Sequence, residues 1–200
     1  MSGSLSKYRP TITEVKGIVK CLTNIFDKDM DVRILVAGSA YRKMRCFKND
    51  DNIRVGDVDV VMAAKNLGYA KSVIEMLFGT CKNGNPCMKG IIGKTQVDIF
   101  PVPLDQLGAA LLFYRAPQPL QISLRILSRA RGYKFSPHGL FKIQRNFDTW
   151  GGIEEKISKE AEETPSTCDV WGRWGLKAMD WYEMEAAAHY EMKEQPRIAL

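Results

Sequence analysis

The sequence predicts an α+β fold: a mixed or antiparallel β-sheet with flanking helices over residues 1–104, then a small α/β subdomain at 105–147, then an acidic, tryptophan-rich helical extension at 148–200. Three observations carry this reading. Apolar strand-like runs at 32–37 and 57–63 are separated by a Gly38-Ser39 turn and a polar loop, and a third such run follows at 95–102. Between them, apolar residues recur at helical spacing. Charge also divides the chain, because residues 148–200 hold 12 acidic and 6 basic residues whereas 106–147 contain no acidic residue at all.

Thr11-Ile-Thr-Glu14 has the S/T-x-x-E pattern in which hydroxyl and carboxylate satisfy the first orphan amides of a helix. Ile12, Val15, Ile18, Val19, Leu22, Ile25 and Phe26 follow on one face, so a helix is expected over 12–26. After the 32–37 strand, Gly38-Ser39 opens a short helical turn whose free amides favour an anion, although such turns are also common without a ligand. Residues 46–55 read as a loop. Leu67, Ala70, Val73, Ile74, Leu77 and Phe78 mark a second helix, and 87–102 form a hairpin turning at Gly93-Lys94. Pro103 opens a helix running to about 114, Ala116-Pro117-Gln118-Pro119 breaks it, and another helix follows over about 120–131 with Gly132 as its C-terminal stop. Tyr133 to Ile143 make a short hairpin. An acidic helix is expected over 152–163, a break at 164–167 with Thr167 as a cap, and then a stripe of Trp171, Trp174, Ala178, Trp181 and Tyr182 that forms core or a docking surface.

Composition narrows the function. No apolar run approaches the roughly 18 residues that span a bilayer, and no secretory leader opens the chain, so no membrane partner is expected. Five cysteines without a CxxC point to reduced thiols in a cytoplasmic, intracellular setting. Two histidines give little support to a zinc site or a histidine triad. The basic residues of the acid-free block, Arg115, Arg125, Arg129, Arg131, Lys134, Lys142 and Arg145, form the electrostatic footprint expected for a phosphate backbone; a solvated basic face is the other reading.

The chemistry centres on carboxylates. Asp57 and Asp59 lie two apart in a strand-like run, so a strand would project both from one face. The plain alternative is the solvated face of a sheet. Two like charges so placed repel unless a cation lies between them. Asp98 adds a third acidic residue on a strand, with Val97 and Ile99 pointing inward. Three carboxylates converging from adjacent strands would ligate Mg2+ or Mn2+.

Gly38-Ser39, Gly56-Asp57-Val58-Asp59 and Val97-Asp98-Ile99 resemble the nucleotidyltransferase signature of G-S, D-x-D and a third strand aspartate. The stretch GAALLFYRAPQPLQISLRILSRARGYKFSPHGLF at 108–141 resembles the helix-hinge-helix segment of family-X DNA polymerases. The resemblance spans roughly residues 7–145 and implies a nucleotidyltransferase palm followed by a thumb-like subdomain. It implies two metal ions, Mg2+ or Mn2+, held by Asp57, Asp59 and Asp98, with one lowering the pKa of a primer 3′-hydroxyl and the other neutralising the leaving pyrophosphate. It assigns Gly38, Ser39, Arg42, Gly56 and Arg9 to the triphosphate, with Arg54 competing with Arg42. Phe113 and Tyr114 match the aromatic pair beside the sugar, and Gln121 the residue that reaches the incoming base. Arg125 matches the template-side arginine, and Arg129, Arg131 and Lys134 extend the expected DNA contact.

The sequence also departs from the family. The loop before Asp57 is longer, Arg115-Ala116 replaces a Thr-Gly, and Gln96 stands where an arginine neighbours the third aspartate. The family bends by a cis peptide near Ala116, where an Ala-Pro bond makes the cis form cheap, at about 0.5–1 kcal/mol. No lyase domain is expected ahead of Arg9, and the tail has no counterpart. The expectation is a monomeric DNA polymerase that adds dNMP from dNTP to primer-template or gapped DNA in gap filling or repair, a size also suited to a virus. The alternatives are a template-independent or non-DNA nucleotidyltransferase acting on an RNA end, a tRNA, a protein or a small molecule, and a catalytically silent nucleic-acid-binding module.

Overall fold

The structure, a computed structural model, describes residues 8–26, 31–47, 50–79, 87–147, 153–179 and 183. Its first helix, α1 (Ile12–Asn24), begins as the capping pattern requires: the Glu14 amide donates to Thr11 Oγ1 at 3.2 Å, and the Thr11 amide donates to Glu14 Oε2 at 2.7 Å. Its apolar stripe of Ile12, Val15, Ile18 and Leu22 is buried. The chain then runs through β1 (Val32–Val36), α2 (Gly38–Cys46), β2 (Val58–Ala64), α3 (Leu67–Phe78), β3 (Met88–Ile92) and β4 (Thr95–Pro103). The strands form one mixed sheet in the order β1-β2-β4-β3, in which only the β2–β4 pair is parallel.

That order explains the burial pattern. Val58, Val60 and Met62 of β2 and Val97 and Ile99 of β4 point to one face, where they join the apolar faces of α1 and α3 in a single core. Asp59 and Asp98 therefore occupy the opposite face of the two central strands. β2 begins one residue later than the sequence suggests, so Asp57 lies in the bend leading into the strand.

Chain contacts divide the molecule into two compact units, Met1–Leu104 and Asp105–Leu200. In the second, a 3-10 turn at Leu104–Gln106 leads to α4 (Leu107–Arg115) and α5 (Gln118–Ala130), followed by β5 (Tyr133–Ser136), β6 (Gly139–Phe147), β7 (Ile153–Glu162) and α6 (Thr167–Arg173). The three strands form an antiparallel sheet in chain order. No cis peptide occurs among the described residues; the chain passes from α4 to α5 through extended Ala116 and Pro117, at ψ 138° and 151°.

Two expectations for the C-terminal segment need correction. Residues 153–162 form a strand, not an acidic helix. Ile153, Ile157 and Ala161 are four apart, and an interval of four keeps residues on one side of a helix and, being even, on one side of a strand as well. The Glu- and Lys-rich composition favours the helix, but pairing with β6 decides for the strand. The cap of α6 is Ser166 rather than Thr167: the Asp169 amide donates to its hydroxyl at 3.4 Å, and the Ser166 amide donates to the Asp169 carboxylate at 2.8 Å.

Of the tryptophan stripe, Trp171 and Trp174 are core. Trp174 meets Phe135 and Trp171 edge to face, with centroids 5.5 and 5.2 Å apart, among Leu112, Leu120 and Leu140. Trp181 and Tyr182 lie outside the described residues. Gly108 is needed for this packing, because a Cβ there would collide with the backbone carbonyls of Thr164 and Ser166. The Gly108 amide donates to the Thr164 carbonyl at 2.7 Å.

Candidate active site and nucleic-acid face

In the first unit the carboxylates are set by strand register. Asp59 and Asp98 are direct partners on the parallel strands β2 and β4, so their side chains emerge side by side. Asp57 enters from the bend before β2. Burial, then the charge of Asp98, then that of Asp57, push the Asp59 carboxyl up from its ordinary value of 3.8 to about 6, against the opposing pull of Arg42 and Lys89. Like charges are thus held together at a cost.

The Gly38-Ser39 turn lies against this group. The Ala37 amide donates to the Asp59 carbonyl at 2.8 Å, and Gly38 sits at φ 57° where a Cβ would overlap the Asp59 carboxylate. Glycine is required here both by the left-handed backbone and by that approach. Ser39 follows at the N-terminus of α2, whose free amides favour anions. The nearest neighbour of a Cβ placed on Gly56 would be the Ser39 hydroxyl, at 4.0 Å. Arg42 and Arg54 are placed differently. Arg42 acts electrostatically on Asp59, whereas the Arg54 guanidinium donates to the Arg9 carbonyl at 2.8 Å and acts on Glu14. Arg9 is an exposed residue at the entrance to α1.

The donor set is all oxygen, half-buried and mutually repelling, which in kind fits a hard divalent cation. Among the described residues, however, no group of three or more acidic, histidine or cysteine side chains is gathered to hold a metal. Asp98 is turned to other partners: Lys89 Nζ donates to Oδ2 at 3.1 Å and Gln96 Nε2 donates to Oδ1 at 2.9 Å. Lys89 was not singled out from the sequence. The signal was present, because a two-residue hairpin turn at Gly93-Lys94 puts Lys89 directly opposite Asp98.

In the second unit, Phe113 and Tyr114 meet edge to face at 5.3 Å, and the Arg125 guanidinium lies 4.9 Å from the Phe113 centroid, a cation–π arrangement. Phe113, Tyr133 and Phe135 wall a cleft of about 430 Å³ whose lining also includes Arg125, Arg129 and Lys134. Exposed Ile126 joins it from α5. Gln121 is turned inward, its Nε2 donating to the Ala116 carbonyl at 3.0 Å. Two of the arginines expected on DNA have internal partners. Arg129 pairs with Glu155 of β7, and Arg131 donates to the Trp174 carbonyl at 2.7 Å. Arg145 and Lys142 are likewise paired, with Glu155 at 3.2 Å and Glu162 at 3.1 Å. Part of the basic block thus binds the acidic strand, a partition invisible while 153–162 reads as a separate helix.

No protein-family model matches the chain, and no curated protein matches it by sequence. Among solved structures it is similar to polymerase beta of Leishmania infantum, determined as a ternary P/T complex, with a TM-score of 0.60 and 17% identity over 86% of this chain and 75% of that one. The fold is polymerase beta-like, mixed α and β with helices flanking a mixed sheet. No helix among the described residues is long and apolar enough to cross a membrane.

Proposed function

We propose that the chain is a nucleotidyltransferase of the DNA-polymerase type, joining the 3′-oxygen of a primer to the α-phosphorus of a dNTP and releasing pyrophosphate. The observation that carries it is the register of Asp59 opposite Asp98, with Asp57 at the strand entrance and the Gly38-Ser39 turn against them. Asp57, Asp59 and Asp98 would hold two divalent cations, Mg2+ or Mn2+, which when bound lower the pKa of the attacking hydroxyl and offset charge on the leaving group. The chain's own groups supply the rest. The α2 amides and the Ser39 hydroxyl take triphosphate oxygens, and Arg42 balances their charge. Phe113 and Tyr114 form the apolar side of a sugar site. Arg125, Lys134 and the aromatic cleft take nucleic acid through phosphate charge and base stacking. Gap filling or repair in an intracellular setting, by a monomer, suits this equipment.

A second reading, transfer to a template-free or non-DNA acceptor, is favoured by one observation. Arg129, Arg145 and Lys142 are paired within the fold, which leaves less cationic surface for a long duplex.

Primer extension separates the two. With Mg2+ or Mn2+, each dNTP and rNTP is offered on single-stranded, gapped and blunt DNA. Template-directed incorporation on the gapped substrate is expected. Incorporation indifferent to template sequence would select the second reading, and none on any substrate would sink the polymerase assignment.

A further inference from the structure

We propose that Lys89 is a built-in cation that holds Asp98 in reserve, and that a divalent ion must displace it before Asp98 can act together with Asp57 and Asp59. This rests on the nucleotidyltransferase reading of those carboxylates. Lys89 lies opposite Asp98 on the edge strand β3, and its ammonium donates to Oδ2 while Gln96 donates to Oδ1, so each Asp98 oxygen already accepts a hydrogen bond from the chain itself. The two partners are unequal. The Lys89 side chain is 57% exposed and the Asp98 side chain 14%. Lys89 can swing into water on its flexible stem at little cost, whereas Asp98 stays fixed in the sheet. A lysine is a point charge without the planar two-pronged grip of arginine, which suits a partner that has to let go.

After Arg42, Lys89 also opposes the repulsion at Asp59, so its charge reaches beyond its direct partner Asp98. A divalent ion at these carboxylates would share Asp98 with the ammonium, and the two cations repel one another there. An ordinary edge-strand ion pair would have no such competition, and that difference is measurable without any turnover.

The test is a Mn2+ titration of the full chain, without nucleic acid, followed by electron paramagnetic resonance. It compares the unmodified protein with Lys89→Met, Lys89→Arg and Asp59→Ala. Removing a positive charge a few ångströms from the site should tighten Mn2+ binding by about tenfold in Lys89→Met. Lys89→Arg should stay at or below the unmodified affinity, and Asp59→Ala should lose most of it. Unchanged or weaker binding in Lys89→Met, with Asp59→Ala still impaired, would overturn the role of Lys89 and leave the metal site intact. Equal Mn2+ binding in the unmodified protein and Asp59→Ala would remove the carboxylate site, and the Lys89 proposal with it.

Discussion

The two units treat charge in opposite ways. In the first, register brings Asp59 beside Asp98, and burial followed by the charges of Asp98 and Asp57 raises the Asp59 carboxyl to about 6, so like charges are gathered against their own repulsion. In the second, Glu155 and Glu162 of β7 lie along basic β6 and α5 and meet Arg129, Arg145 and Lys142. Opposite charges paired on a surface serve the fold and are worth little individually, about 0–1 kcal/mol each. Like charges held together half-buried do not serve the fold. On the proposed function the contrast puts the chemistry in the first unit, while in the second the ion pairs leave less unpaired positive charge than the sequence of the basic block suggests.

The contrast can be broken most severely at Gly38. Gly38→Ala should destabilise the protein by about 1–3 kcal/mol, since it combines a left-handed backbone with overlap on the Asp59 carboxylate. Chemical denaturation measures this, and a loss below 0.5 kcal/mol, on the order of an ordinary surface change, would mean that the turn does not press on Asp59.

Asp59→Asn should act in the other direction and depend on pH. The folded-state pKa is raised, so the stability of the protonated form is fully present below about 3.8 and lost as pH rises through about 6. In metal-free protein the variant should match the unmodified chain at pH 4. It should exceed it by about 1 kcal/mol at pH 7.5, a value discounted for partial solvent screening. Equal melting temperatures at both pH values would deny the raised pKa of Asp59.

The smallest effect belongs to Glu155→Gln, which loosens Arg129 and Arg145 together. Stability should fall by about 0.2–1 kcal/mol. Nucleic-acid affinity should rise at low salt with a steeper salt dependence, because freed arginines can displace counterions from phosphate. Fluorescence anisotropy at several salt concentrations reads this, and an unchanged salt slope would show that these arginines do not face the ligand.

Much of the first unit was legible because its signals are local. The capping box fixes where α1 begins, an apolar stripe defines α3, and alternation along β4 puts Asp98 away from the core. The hairpin turn even contains the Lys89–Asp98 pairing, for a reader who counts backward from Gly93-Lys94. The second unit is less legible because its pattern is ambiguous and its partners are distant in sequence. Apolar residues four apart suit helix and strand alike, and only pairing with β6 decides for β7. Once β7 is misplaced, the destinations of Arg129, Arg145 and Lys142 are hidden, whereas the burial of Trp171 and Trp174 was legible from their helical spacing. The turning of Asp98 towards Lys89 and Gln96 likewise depends on side-chain geometry that a motif does not contain.

The central claim is that the carboxylates of β2 and β4 are kept together for catalysis at the expense of stability. Single-turnover incorporation of one dNMP on gapped DNA, comparing Asp59→Asn with the unmodified chain at pH 7.5, tests it most directly. The variant should be folded and at least as stable, yet slower by roughly a thousandfold or more, as expected when a group acting in the transition state is removed. Incorporation by Asp59→Asn at the unmodified rate would contradict the account.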